Sequence, residues 1–228
     1  MAAISLNDEV LDNDKKRVIR LQAELVREGG FFLAGGTGLG LRLGHRLSDD
    51  LDWFTPTPFE AKSLIAKLNS LSEKPTKIVQ HSAHTVRAYY DKLETSDDKL
   101  ETSFITYAQV AAHPEAAAVG GAEIPVADIS ILAAMKVAAL HDRGARRDFI
   151  DVHGISSLPG WHIPRFIERV RRQLPLQGKQ IALSLTYFVD AEKEPMPRGC
   201  KVSWEQVKND LVAGVREWER QRNRSIER

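Results

Sequence analysis

Apolar residues recur at intervals of three and four between residues 13 and 28. There Val18, Leu21 and Leu25 stand among Lys, Arg and Glu, a spacing that predicts a helix stopped by Gly29-Gly30. The apolar run Phe31-Phe32-Leu33-Ala34 predicts a short buried strand ending at Gly35-Gly36. Thr37 is placed as the N-cap of a following helix, with Leu39, Leu41 and Leu43 on its apolar side. Asp50-Leu51-Asp52-Trp53-Phe54 alternates as a strand does, and the proline-containing stretch Thr55–Pro58 ends it. A helix is predicted from Phe59 to Leu71, with Leu64, Ile65 and Leu68 on one face. Strand patterning returns at 77–80, 85–90 and 102–107.

The hexapeptide Asp-Lys-Leu-Glu-Thr-Ser occurs at 91–96 and again at 98–103. Two copies of six residues are too short for a solenoid and read as the two arms of a hairpin or as a tolerated loop duplication. Residues 111–123 are rich in Ala and Gly and are expected to connect two halves. Helical patterns follow at 128–140, 147–155, 164–174, 179–189 and 203–224, separated by Pro, Gly and polar breaks. The expected fold class is α+β, with a mixed α/β lobe over 1–115 and a helical lobe over 116–228.

Composition removes several classes of protein. The 228 residues are 43% hydrophobic and 28% charged, which excludes global disorder. No stretch approaches the roughly 20 apolar residues that span a bilayer. The first residues carry acid where a secretory signal carries base, so a cytoplasmic chain is expected. The single cysteine, Cys200, excludes an intramolecular disulfide framework and a cysteine-based zinc site. The seven histidines lack the spacing of a zinc hydrolase. A net charge of +1 predicts no blanket affinity for nucleic acid, yet permits local basic patches. The arginine-rich runs 165–172 and 216–228 read as solvated helix faces, with an RNA contact as the alternative.

Candidate chemistry gathers at three places. A strand ending in Gly35-Gly36 before a helix offers unpaired N–H groups and a positive helix end, which suit a phosphate. Leu41 stands where a dinucleotide fingerprint needs glycine and where a P-loop needs lysine, so neither motif is present. Asp50 and Asp52 are two apart on the expected strand and project from one face. Their mutual repulsion is relieved by a divalent cation, magnesium preferring carboxylate oxygens, or by solvation of an acidic strand end. Lys136 interrupts the apolar run between Ile129 and Leu140, where an amine snorkels or meets an anion such as a triphosphate. On a continuous helix Lys136, Arg143 and Arg147 would share a stripe within about 20°. A salt bridge from Lys136 to Asp148 or Asp151 is the structural alternative.

Taken together, Leu33-Ala-Gly-Gly-Thr-Gly-Leu39, His45-Arg-Leu-Ser-Asp-Asp-Leu-Asp52, Ile131-Leu-Ala-Ala-Met-Lys136 and Arg143 followed by Arg147-Asp148-Phe-Ile-Asp151 resemble the nucleotidyltransferase family of AbiEii/AbiGii-type toxins. The resemblance covers residues 31–54 and 128–152 and implies a polymerase-β-like nucleotidyltransferase fold with a helical C-terminal region. It implies transfer of a nucleoside monophosphate from an NTP to a hydroxyl. Asp50 and Asp52 would be the catalytic pair that holds Mg2+, while Gly35, Gly36 and Thr37 would cradle the β- and γ-phosphates. Ser48 would lie close to the phosphates and Lys136 would stabilise their charge. Asp148 would orient that lysine or act as a base, and Arg46 and Arg147 would be phosphate or structural partners. For a third metal carboxylate Glu101 and Asp128 stand as alternatives, or none exists. RNA is a candidate acceptor and a cognate antitoxin a candidate partner, without a membrane. The alternatives are a protein or small-molecule acceptor, or a nucleotide-binding module without turnover.

Overall fold

The Asp12 carboxylate accepts the N–H of Lys15 and so starts the first helix, α1 (Asn13–Glu28), which buries Val18, Ile19, Ala23, Leu25 and Val26. In the computed structural model, which describes residues 4–93, 98–108 and 113–226, this helix lies in one hydrophobic core with a mixed sheet. The strands are β1 (Ile4–Ser5), β2 (Phe32–Leu33), β3 (Leu51–Thr55), β4 (Lys77–Ser82), β5 (Thr85–Asp91), β6 (Lys99–Thr106), β7 (Glu115–Val119) and β8 (Ala122–Val126). Their spatial order is β1-β7-β8-β2-β3-β6-β5-β4. The β1/β7, β8/β2 and β3/β6 pairs are parallel, and the remaining neighbours are antiparallel. Helices α2 (Gly35–Leu43) and α3 (Ala61–Asn69) complete this part.

Register explains which residues face the core. Leu33, Trp53, Phe104 and Val86 form one row across β2, β3, β6 and β5, all fully buried. Asp52 and Phe54 alternate to the opposite face and are only half-buried. Beneath Trp53 sits a buried polar residue that the periodicity did not single out. The Gln22 amide oxygen accepts the Trp53 indole N–H at 2.7 Å, and its nitrogen donates to the Tyr90 hydroxyl at 3.2 Å and to Thr102 Oγ1 at 3.3 Å. Burial pushes the Tyr90 phenol above its ordinary 10.0, so the group stays neutral in this network.

One expectation changes. The Ala/Gly-rich stretch is not a plain connector: β7 and β8 form a hairpin whose Val119↔Ala122 pair is closed by Gly120 (φ 60°) and Gly121 (φ 85°). The Gly120 N–H reaches the Asp8 carboxylate at 3.0 Å, and Arg20 donates to its carbonyl at 2.6 Å. Residues 109–112 lie outside the described ones. The duplicated hexapeptide flanks the connection between β5 and β6 and lies partly outside the described residues. Only Asp91 of the first copy belongs to β5, opposite Lys99, whereas the second copy runs into β6; residues 94–97 fall outside the description.

The chain divides into two compact units, one ending at Asp128 and the other beginning at Ile129, because the hairpin belongs to the sheet. The second unit holds α4 (Ile129–Arg143), α5 (Arg146–Ser156), α6 (Ile163–Val170), α7 (Gly178–Ser184) and α8 (Trp204–Ile226). Phe149, Phe188 and Trp204 pack edge-on or tilted, with centroids 4.9 to 5.7 Å apart, and join α5 to the start of α8.

Candidate functional site

The short strand β2 ends at Ala34, whose N–H donates to the Asp52 carbonyl at 3.0 Å, one step beyond the Leu33↔Trp53 pair. Gly35 then turns the chain with φ 62°, and the Gly38 N–H closes the first turn of α2 on the Ala34 carbonyl at 2.8 Å. Ala34 is therefore the N-cap, and it offers no side-chain hydrogen bond to the first N–H groups. Thr37 is not the cap that the sequence suggested. It lies inside the first turn, buried, and its hydroxyl donates to the Asp50 carbonyl, so it clamps α2 to the residue that precedes β3.

A side chain at 35 or 36 would have to displace its neighbours, and at Gly35 the positive φ adds strain. A Cβ on Gly35 would collide with Asp52 Oδ2 and stand 3.1 Å from its Cγ. A Cβ on Gly36 would stand 2.6 Å from Ser48 Oγ and 2.8 Å from Arg46 Nη2. The turn's bare backbone thus lies directly against a carboxylate, a hydroxyl and a guanidinium. Arg46 is 5% exposed and donates to the Leu47 carbonyl at 2.9 Å. Asp52 is the second residue of β3, whereas Asp50 falls just before the strand. Gly35, Gly36, Thr37, Arg46, Ser48, Asp50 and Asp52 are brought together within the first unit.

The two alternatives for a third carboxylate fall apart from each other. Glu101 lies on β6, two residues before Ser103, the register partner of Asp52, and pairs with Arg87 at 3.2 Å. Asp128 follows β8 at the end of the first unit. Among the described residues no group of three or more His, Cys, Asp or Glu is arranged to hold a metal ion.

In the second unit Lys136, 6% exposed, places its amine 3.0 Å from Asp148 Oδ1 and 2.6 Å from Asp151 Oδ2. Both aspartates are fully buried. Arg143 Nε lies 2.9 Å from the second Asp148 oxygen. The continuous stripe does not exist, because Gly144 (φ 58°) ends α4 and starts a turn into α5. That turn lays α5 against α4 and so delivers Asp148 and Asp151 to Lys136. Arg147 is exposed in the first turn of α5 and stands outside the network, whose guanidinium is that of Arg143.

With this geometry described, three comparisons bear on identity. A profile of the nucleotidyl transferase AbiEii toxin family, of type IV toxin–antitoxin systems, matches residues 22–224. An uncharacterized protein of Aquifex aeolicus (strain VF5) is 31% identical over 195 residues, covering 82% of this chain and 87% of its own. Among solved structures, MenT4, a nucleotidyltransferase toxin of Mycobacterium tuberculosis, superposes with a TM-score of 0.61 at 16% identity, over 90% of this chain and 82% of its own. JHP933 of Helicobacter pylori gives 0.58 at 18% identity, over 98% of this chain and 100% of its own. These likenesses carry the expected nucleotidyltransferase-like fold.

Proposed function

The chain belongs to the nucleotidyl transferase AbiEii toxin family and is a nucleotidyltransferase, and on that premise we propose that it moves an NMP from an NTP to a hydroxyl of RNA, with magnesium, as a toxin neutralised by a cognate antitoxin. The observation that carries this reading is the contact of the Gly35-Gly36 backbone with Asp52, Ser48 and Arg46. It sets a phosphate-accepting helix start beside a carboxylate with no side chain between them.

The residues fit magnesium. Asp50 and Asp52 offer only hard oxygen ligands, and a site with two carboxylates suits an ion that completes its shell with water and substrate phosphates. Bound there, the ion supplies neutralisation of the α-phosphate and a lower pKa for the attacking hydroxyl. The first-turn N–H groups of α2 bind the β- and γ-phosphates, and Ser48 and Arg46 add a hydroxyl and a guanidinium beside them. Thr37 keeps Asp50 in place through its backbone carbonyl. The acceptor oxygen forms a bond to the α-phosphorus while the bond to pyrophosphate breaks. In the second unit Asp148, with both oxygens engaged by cations, orients the amine of Lys136. Among the described residues no helix is long and apolar enough to cross a membrane.

Incubation with each labelled NTP, magnesium and either total RNA or lysate protein tests the proposal. Label is expected in RNA, and not with Asp50→Ala or Asp52→Ala chains that melt as the parent does. Full transfer by either variant removes the catalytic assignment. Label in protein alone moves the acceptor to a protein hydroxyl, and label in neither pool favours a binding module.

A further inference from the structure

The two units differ in charge more than the balanced whole suggests. Residues 1–128 carry 14 Lys and Arg against 19 Asp and Glu, whereas residues 129–228 carry 18 against 12. Much of the second unit's excess lies on α6 and its last turn. At 100° per residue Arg165 and Arg169 lie about 40° apart on α6, and Arg172 follows in the turn beyond its end, its N–H on the Arg169 carbonyl. The opposite face buries Ile163, Phe166, Ile167 and Val170. All three arginines are exposed, and no carboxylate among the described residues pairs with them.

The acid nearest the ridge is turned to other work. Glu168 accepts the Trp218 indole N–H of α8 at 3.2 Å and pairs with Arg171, so it joins the two helices. Gly214 lies against Ile163, and a Cβ there would come within 2.5 Å of it, which seats α8 closely along α6. Two guanidiniums lie over indoles: Arg169 over Trp161 at 4.5 Å, and Arg222 over Trp218 at 5.3 Å. The outer side of α8 carries Arg216, Arg220 and Arg224, interleaved there with Glu217 and Glu219. The α6 ridge has no such interleaving.

We propose that the Arg165–Arg169–Arg172 ridge binds the phosphate backbone of RNA and holds the acceptor of the transfer reaction. The proposal rests on the reading of the chain as an RNA-modifying nucleotidyltransferase and adds the surface that would recognise the polyanion. Arginines at i and i+4 present planar forks about 6 Å apart along the helix, suited to successive phosphates. Within the second unit the exposed large apolar residues among the described ones are Leu183, Tyr187, Val189 and Met196, none of them on α6, so the ridge lacks the apolar anchors of a protein interface. Backbone binding of this kind carries no sequence preference by itself.

The test measures binding of a fluorescein-labelled RNA hairpin against salt concentration, using the full chain. Arg165→Glu/Arg172→Glu is expected to weaken binding by on the order of tenfold and to flatten the slope of log affinity on log salt by about one to two. Arg165→Lys/Arg172→Lys, which keeps the charge, retains most of both. Unchanged affinity and slope in the charge-reversed chain overturn the proposal. So does displacement of the hairpin by polyglutamate as readily as by unlabelled RNA, which assigns the ridge to an acidic protein. Asp52→Ala separates this surface from the chemistry, since that chain should bind the hairpin as the parent does. Binding without label transfer to RNA defeats the catalytic reading and leaves the ridge standing. Transfer to RNA by a charge-reversed chain that binds as the parent does defeats the ridge alone.

Discussion

Asp50 and Asp52 in the first unit and Asp148 and Asp151 in the second are pairs of aspartates close in sequence, yet their surroundings differ. The second pair is fully buried, and the amine of Lys136 lies within 3.0 Å of both members, with Arg143 on the remaining oxygen of Asp148. Two cations against two anions leave little room for a further charge. The first pair is half-buried, lies at and just before the start of a strand, and has glycine backbone packed against Asp52. A buried, cation-matched set is costly to break; a half-buried set beside bare backbone is built to receive something. On the proposed reading similar residues serve positioning in one unit and binding in the other, and it is burial that separates them.

Removing the lysine should break the comparison hardest. Lys136→Ala leaves two buried carboxylates short of a cation, and a loss of about 3–5 kcal/mol is expected in urea unfolding. A loss under about 1 kcal/mol would mean that the cluster is solvated and resembles the first pair. Next, Gln22→Ala strands the buried Trp53 indole N–H next to Asp52 in the chain, with an expected loss of about 1–3 kcal/mol. Transfer should then fall only as far as β3 loosens, which a urea melt and a labelling assay on one sample would separate. Gly35→Ala places a Cβ against Asp52 at a positive φ, and about 1–3 kcal/mol should go together with nearly all transfer. Retained activity would show that the turn does not hold the reacting phosphates.

Asp52→Asn sharpens the contrast from the other side. It should abolish transfer while shifting Tm by no more than about 2 °C, since relief of repulsion offsets lost contacts. Collapse of the fold would make this pair structural. The smallest effect is expected at Asp12, outside both pairs. Burial alone would raise its pKa, but hydrogen bonds from the Lys15 amine and N–H and the lysine's charge hold it below 3.8. A lowered carboxyl contributes above the unfolded value and loses that contribution as pH falls through the folded one. Asp12→Asn should therefore be destabilised by a few tenths of a kcal/mol near neutrality, with the difference from the parent vanishing in acid below 3.8.

Where the local period was strong, the elements were legible. The α1 pattern reproduces Asn13–Glu28, and the alternation of Leu51 and Trp53 against Asp52 and Phe54 matches the burial of β3. Alanine was the obstacle in β7, because Ala116, Ala117 and Ala118 show no contrast between faces even though Gly120-Gly121 carried a two-residue hairpin signal. Helices α6 and α7 end earlier than their polar breaks suggested, at Val170 and Ser184, since boundaries follow packing and capping more than propensity. Thr37 was misread because a threonine beside a helix start serves equally as a cap or as an internal clamp, and only the position of Asp50 distinguishes the two. Gln22 gave no signal at all, since a glutamine on an amphipathic helix looks solvated until Trp53, Tyr90 and Thr102 surround it.

The order of motifs along the chain by itself determined the family, the α+β class and the residue types available for phosphate and metal chemistry, because those depend on identity and short-range spacing. Only the tertiary structure decided that Gly35 and Gly36 lie against Asp52, Ser48 and Arg46, and that Arg143 and not Arg147 completes the Lys136 cluster. Contacts across turns depend on the φ of a few glycines and on how neighbouring elements pack, and no periodicity along the sequence encodes those distances.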